Sequence, residues 1–136
     1  MRPKDIGTQA ESAVVKYLRE NGFGGAERRA LRGTLDCGDI TGCGPVVIEV
    51  KAGAAAMDAS DGLINAWLAE TETERKNAKA DLGVLVVRRR GKGDPGSWWA
   101  IQWQIHPVAG TPYYPVRYLF KDYVTRLRIN GYGDEL

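Results

Sequence analysis

The sequence is short of the residues that staple small proteins together. It carries two cysteines, Cys37 and Cys43, and one histidine, His106. That is too few cysteines for a disulfide framework. The C-x5-C spacing, with no second pair and a distant lone histidine, also argues against structural zinc. His106 reads as a structural residue at a strand end. No apolar segment follows Met1, so no secretory signal is read. The expected location is the cytoplasm, a host's cytoplasm if the gene belongs to a phage, with both thiols reduced. Long hydrophobic runs are missing as well. The runs at 45–50 and 84–87 fall far short of the roughly 20 residues a membrane helix needs. Excess charge is absent: 19 Lys and Arg nearly balance 17 Asp and Glu, for a net charge of +2. The total therefore does not announce a polyanionic partner. No internal repeat or low-complexity tract is visible.

What remains is an ordinary globular composition. With 43% hydrophobic and 26% charged residues, wholesale disorder is excluded. A chain of 136 residues is one domain's worth. It can bury about two-thirds of its unfolded surface, enough for a core without staples. One domain over 1–136 is the simplest partition, with 107–136 as a candidate C-terminal appendage.

Apolar residues at Ile6, Ala10, Ala13, Val14, Tyr17 and Leu18 recur at helical spacing and predict a helix over 5–21. Asn21-Gly22 ends it. A weak strand is expected over 27–31 and another over 36–41. Gly42-Cys-Gly-Pro45 is turn chemistry. Val46–Lys51, dense in β-branched residues, is the strongest strand signal, and the short turn before it predicts an antiparallel hairpin. A long helix is expected over 61–81, capped by Ser60 or Asp61, with Leu63, Ile64, Trp67, Leu68, Thr71 and Ala78 on its apolar face. Strands over 82–88 and 98–105 flank a turn at 91–96, and 118–130 reads as a short terminal helix. The expected class is α/β or α+β, a mixed central sheet flanked by helices.

The chemistry concentrates at Asp39, Glu49 and Lys51. Strand side chains alternate faces, so Val46, Ile48 and Val50 point one way and Val47, Glu49 and Lys51 the other. The hairpin brings Asp39 opposite the Val47/Glu49 region. Two carboxylates that close repel unless one is protonated or a cation intervenes. A hard divalent ion such as magnesium suits oxygen ligands of this kind. Such an ion with a neighbouring lysine suits phosphodiester hydrolysis. Glu11, on the first helix, is a candidate further ligand. The bland alternative is an exposed Glu49–Lys51 ion pair worth under about 1 kcal/mol. Basic residues cluster at Arg28, Arg29 and Arg32, at Arg88, Arg89, Arg90 and Lys92, and more loosely at Arg117, Lys121, Arg126 and Arg128. The clusters suggest a surface for a phosphate backbone. Trp67 reads as core or dimer interface, and Trp98, Trp99 and Trp103 as strand packing.

Asp39 followed by Ile48-Glu49-Val50-Lys51 resembles the PD-(D/E)xK nuclease signature. With Gly7, Glu11 and Arg28/Arg29 upstream, the order resembles that of the archaeal-type Holliday junction resolvases and their phage relatives, over residues 6–88. The resemblance implies a restriction-endonuclease-like fold. Asp39, Glu49 and the Val50 carbonyl would hold magnesium or manganese. Lys51 would be catalytic, and Glu11 a metal-site acid. It further implies a homodimer that cuts a four-way DNA junction, leaving 5′-phosphate and 3′-hydroxyl ends, in recombination or repair. The DNA contacts fall to Arg28, Arg29, Arg32, Arg88, Arg89 and Arg90. Some features depart from the family. Gly38 stands where the signature has proline. The nearest hydroxyl before Asp39 is Thr34. The segment 52–61 with its following helix is long, and the tail from Pro107 has no counterpart. The expected function is a magnesium-dependent structure-specific endodeoxyribonuclease. The alternatives are a nicking, flap or restriction-like nuclease and a non-catalytic DNA-binding module.

Overall fold

A computed structural model of the chain describes residues 2–29, 36–104 and 114–136. Helix α1 (Pro3–Glu20) starts with a proline in its first turn, where no hydrogen bond is lost, and with Asp5 facing the helix dipole. It buries Ala10, Val14, Val15 and Leu18. Strands β1 (Glu27–Arg28), β2 (Ile40–Thr41) and β3 (Val46–Lys51) follow. A short helix α2 (Ala54–Met57) leads to the long helix α3 (Asp61–Ala78). Then come β4 (Leu82–Val87), β5 (Trp99–Gln104), β6 (Tyr114–Leu119) and helix α4 (Phe120–Ile129).

The strands form one sheet in the order β1-β2-β3-β4-β5-β6. Only β3 and β4 run parallel; the other neighbours are antiparallel. Helix α3 is the crossover that a parallel pair requires. The expected mixed sheet flanked by helices is what the chain forms.

Alternation along the central strands divides the core. Val46, Ile48 and Val50 of β3 join Val84, Val86 and Ala100 against α1 and α4. On the other face Leu85, Val87 and Ile101 pack against Ala56, Ile64 and Leu68 from α2 and α3. Glu49 shares that second face and is 6% exposed. A carboxylate is thus placed inside a helix–sheet interface, where burial is costly unless it is paired.

Several boundaries differ from expectation for local reasons. The Ser60 hydroxyl accepts the Leu63 N–H, so α3 begins at its predicted cap. It ends at Ala78 because Lys79 turns left-handed at φ 52°. That turn frees the Asp81 and Leu82 N–H groups to donate to the Pro45 carbonyl. β2 pairs only from Ile40, not from Asp36, because Gly38 has φ +95° and breaks the extended run. The expected strand over 27–31 pairs at Glu27 and Arg28. From Tyr114 onward, the stretch set apart as a candidate appendage supplies the edge strand β6 and helix α4. That helix buries Phe120, Tyr123, Val124 and Leu127 in the larger core. The sequence hid β6 because an edge strand need not alternate and tolerates Pro115. Arg32, Thr34, His106 and Pro107 lie outside the described residues. Among the described residues Cys37 and Cys43 form no disulfide, and burial pushes the Cys43 thiol up to about 11.

Candidate functional site

Asp39 is stitched into the sheet by its backbone and its side chain. Its N–H donates to the Ile48 carbonyl at 3.0 Å, and its carbonyl accepts the Arg29 N–H at 2.8 Å. The register Ile40↔Ile48 then runs out. The Asp39 carboxylate takes over the next ladder position, Oδ2 accepting the Val50 N–H at 2.8 Å. Gly38 makes this approach possible. A Cβ there would stand 2.7 Å from a Val47 methyl and 3.2 Å from the Ile48 carbonyl oxygen. A proline at this position would need φ near −65°, so the turn at Gly38, with φ +95°, excludes it.

The Asp39 and Glu49 carboxyls lie close enough to share a proton, and so do those of Glu49 and Glu74 of α3. Burial, the Glu49 hydrogen bond and the Glu49 charge push the Asp39 carboxyl up to about 8, against the Val50 N–H and Lys51. Burial, then the contact with Glu74, raises Glu49 to about 8. Burial and the charges of Asp36, Asp39 and Glu70 raise Glu74 to about 7. Each such contact needs a shared proton or a cation between the oxygens.

Lys51 lies on the Glu49 face of β3 as predicted. Its Nζ is 3.4 Å from a Glu70 carboxylate oxygen and 5.6 Å from the centroid of the Trp67 ring. Trp67 itself packs on the second core cluster. Glu11 reaches the group from α1. Burial, then the Asp39 charge, raises its carboxyl, while Arg28, 3.1 Å away, opposes both. Among the expected ligands, Val50 is seen through its N–H, which Asp39 occupies.

The sequence reading missed Asp36, Glu70 and Glu74. One oxygen from each of Asp36, Glu49 and Glu74 lies within 4.8 Å of the others. Glu74 had a legible signal. It follows Thr71 by three positions and Trp67 by seven, so it interrupts the apolar stripe of α3. Asp36 had none, since its approach depends on the turn at Gly38.

The arginines do not behave as one surface. Arg28 is engaged by Glu11, and Arg29 is half-buried, its Nε without a hydrogen-bond partner among the described residues. Arg128 is structural, donating to the Tyr132 and Asp134 carbonyls. Arg88, Arg89 and Arg90, by contrast, gather at the end of β4. Arg89 lies 4.2 Å from the Trp99 ring centroid, and Arg117 of β6 lies 5.1 Å from the same ring. Arg88 approaches Trp98 at 5.8 Å, and Arg90 pairs with Asp58 at 2.6 Å. The four arginines line a cavity of about 300 Å³. None of the carboxylates lines it, and its link to them runs through the backbone: Lys51 is in register with Val87 and its carbonyl accepts the Arg88 N–H. A larger cavity of about 780 Å³, bordered by α3 and α4, shares no residue with the carboxylate group.

The donor set fits a hard divalent cation. Asp39 and Glu49 offer adjacent oxygen ligands, and among the described residues the buried Oε2 of Glu74 has no hydrogen-bond partner. No protein-family model matches this chain, and no curated protein or solved structure shows significant similarity to it. No helix among the described residues is long and apolar enough to cross a membrane.

Proposed function

We propose that this protein is a magnesium- or manganese-dependent endodeoxyribonuclease of the PD-(D/E)xK type, acting inside the cell on branched DNA. The favoured form is a homodimeric Holliday junction resolvase with a restriction-endonuclease-like fold. One observation carries the reading. The half-buried Asp39 carboxyl meets the buried Glu49 carboxyl beside Lys51, an arrangement that a divalent cation relieves.

In this reading Asp39, Glu49 and the Val50 carbonyl hold the cation. Once bound, it would acidify a water and polarise the scissile phosphate. Lys51 sets positive charge beside the phosphate as negative charge develops there, and Glu70 and Trp67 fix its direction. The Val50 N–H holds the Asp39 carboxylate in place. Glu11 serves as an acid at the rim of the centre, oriented by Arg28. The unsatisfied Nε of Arg29 and the arginines at 88–90 supply donors to phosphates, with Arg32 as a further candidate. Hydrolysis leaves 5′-phosphate and 3′-hydroxyl ends.

Cleavage of a labelled immobile four-way junction tests this, beside linear duplex, flap and single strand, with magnesium and with EDTA. Paired symmetric nicks on the junction alone, lost with EDTA, are expected. Asp39→Asn and Glu49→Gln should abolish cutting and retain junction binding; cutting by either variant would refute the site. Cleavage of another substrate would keep the metal chemistry and replace the biology. Tight junction binding without cleavage under any divalent ion would favour a non-catalytic DNA-binding module.

A further inference from the structure

The Asp39–Glu49 pair accounts for one cation and leaves Glu74 and Asp36 without a role. Glu74 is 4% exposed, and among the described residues its buried Oε2 has no hydrogen-bond partner. The neighbouring Glu49 carboxyl can satisfy it only by holding a proton. Asp36 is held in place independently. Asn77 of α3 donates its side-chain amide to the Asp36 carbonyl at 2.8 Å, and Asp36 Oδ1 accepts the Gly38 N–H at 3.0 Å. The nearby lysine is already engaged, since Lys51 lies 3.4 Å from Glu70.

The spacing suits an ion. Oxygens held about 2.0–2.6 Å from a hard cation stand at most roughly 4–5 Å apart. The oxygens of Asp36, Glu49 and Glu74 fall within 4.8 Å of one another. We propose that Asp36, Glu49 and Glu74 form a second divalent-cation site, with Glu49 common to it and to the Asp39 site. The inference rests on the metal part of the proposed function and is indifferent to the DNA substrate. Paired cations clamp both the attacking and the leaving oxygen of a phosphodiester.

The test is titration of the metal-stripped full chain with manganese near neutral pH. Unbound manganese is read by electron paramagnetic resonance, and thermal unfolding is followed in parallel. The wild type should bind two ions per chain. Glu74→Gln should bind one, and Asp39→Asn should also bind one. Asp36→Asn, at an exposed position that leaves the core untouched, should weaken one site by roughly tenfold or more. The thermal shift caused by manganese should shrink in each variant. A wild type that binds a single ion overturns the second site and leaves the nuclease reading standing. A wild type that binds two, both retained at full affinity in Glu74→Gln and Asp36→Asn, also overturns it. No binding at all overturns both readings.

Discussion

At the scale of single residues the controlling fact is that the buried Glu49 and Glu74 and the half-buried Asp39 are held together. Their carboxyls rise to about 8, about 8 and about 7, from ordinary values of 3.8 and 4.5. Between those limits the folded chain keeps protons that the unfolded chain has released. Stability falls as pH rises wherever the folded state binds more protons. The metal-free protein should therefore be most stable below about pH 4 to 5 as far as these groups are concerned, and should lose that contribution progressively towards about pH 8. Melting in EDTA across this window checks the sign. With magnesium or manganese present the trend should flatten or reverse, because the cation competes with the same protons. A metal-free protein that grows more stable from pH 5 to 8 would contradict the burial of these groups.

At the scale of elements, what ends β2 also builds the site. Gly38 at φ +95° swings the chain so that Asp39, rather than another strand residue, meets the Val50 N–H. Gly38→Ala forces a side chain into that conformation and against the Ile48 carbonyl oxygen at 3.2 Å. The expected cost is about 1–3 kcal/mol of stability, measured by denaturant unfolding, with weaker manganese binding in parallel. Unchanged stability and binding would show that the turn is dispensable. Helix α3 is the second element that matters. It buries Ile64, Leu68 and Thr71 against the sheet, and the same face delivers Glu74 and Glu70 to Glu49 and Lys51. Packing and chemistry therefore share one helix face.

At the scale of the whole molecule, sheet order converts scattered charge into a local one. Arg89 and Arg117 are far apart in sequence, yet both lie over Trp99 because β6 pairs with β5 beside β4. The indole holds both guanidiniums, and Arg89 also donates its Nη1 to the Ser97 carbonyl at 3.1 Å, so the remaining N–H groups are those that face phosphate. Replacing both arginines by glutamine should weaken junction binding and lower the slope of log affinity against log salt by about 2. An unchanged slope would remove this cavity from the DNA surface. Arg128, from the third cluster, should contribute nothing to that slope, since the tail carbonyls occupy its donors.

Much of this was legible locally. Val46–Lys51 announces a central strand through β-branched residues, and strict alternation alone assigns Val46, Ile48 and Val50 to one core and Glu49 and Lys51 to the other face. The turn at Gly42–Pro45 fixes an antiparallel partner, so Asp39 could be brought to Glu49 from the sequence. Such features depend on residues a few positions apart, where backbone geometry leaves few choices. Glu74 was visible only as a break in an apolar stripe, Asp36 not at all, and Arg117 only as part of a loose C-terminal basic cluster. Their positions follow from how α3 lies on the sheet, from one left-handed glycine and from the strand order β4-β5-β6. The sequence by itself thus determined the two long helices, the central strands with their buried faces and the Asp39–Glu49–Lys51 core. Only the tertiary structure decided which distant charges join that core, because packing between elements depends on contacts that no local period encodes.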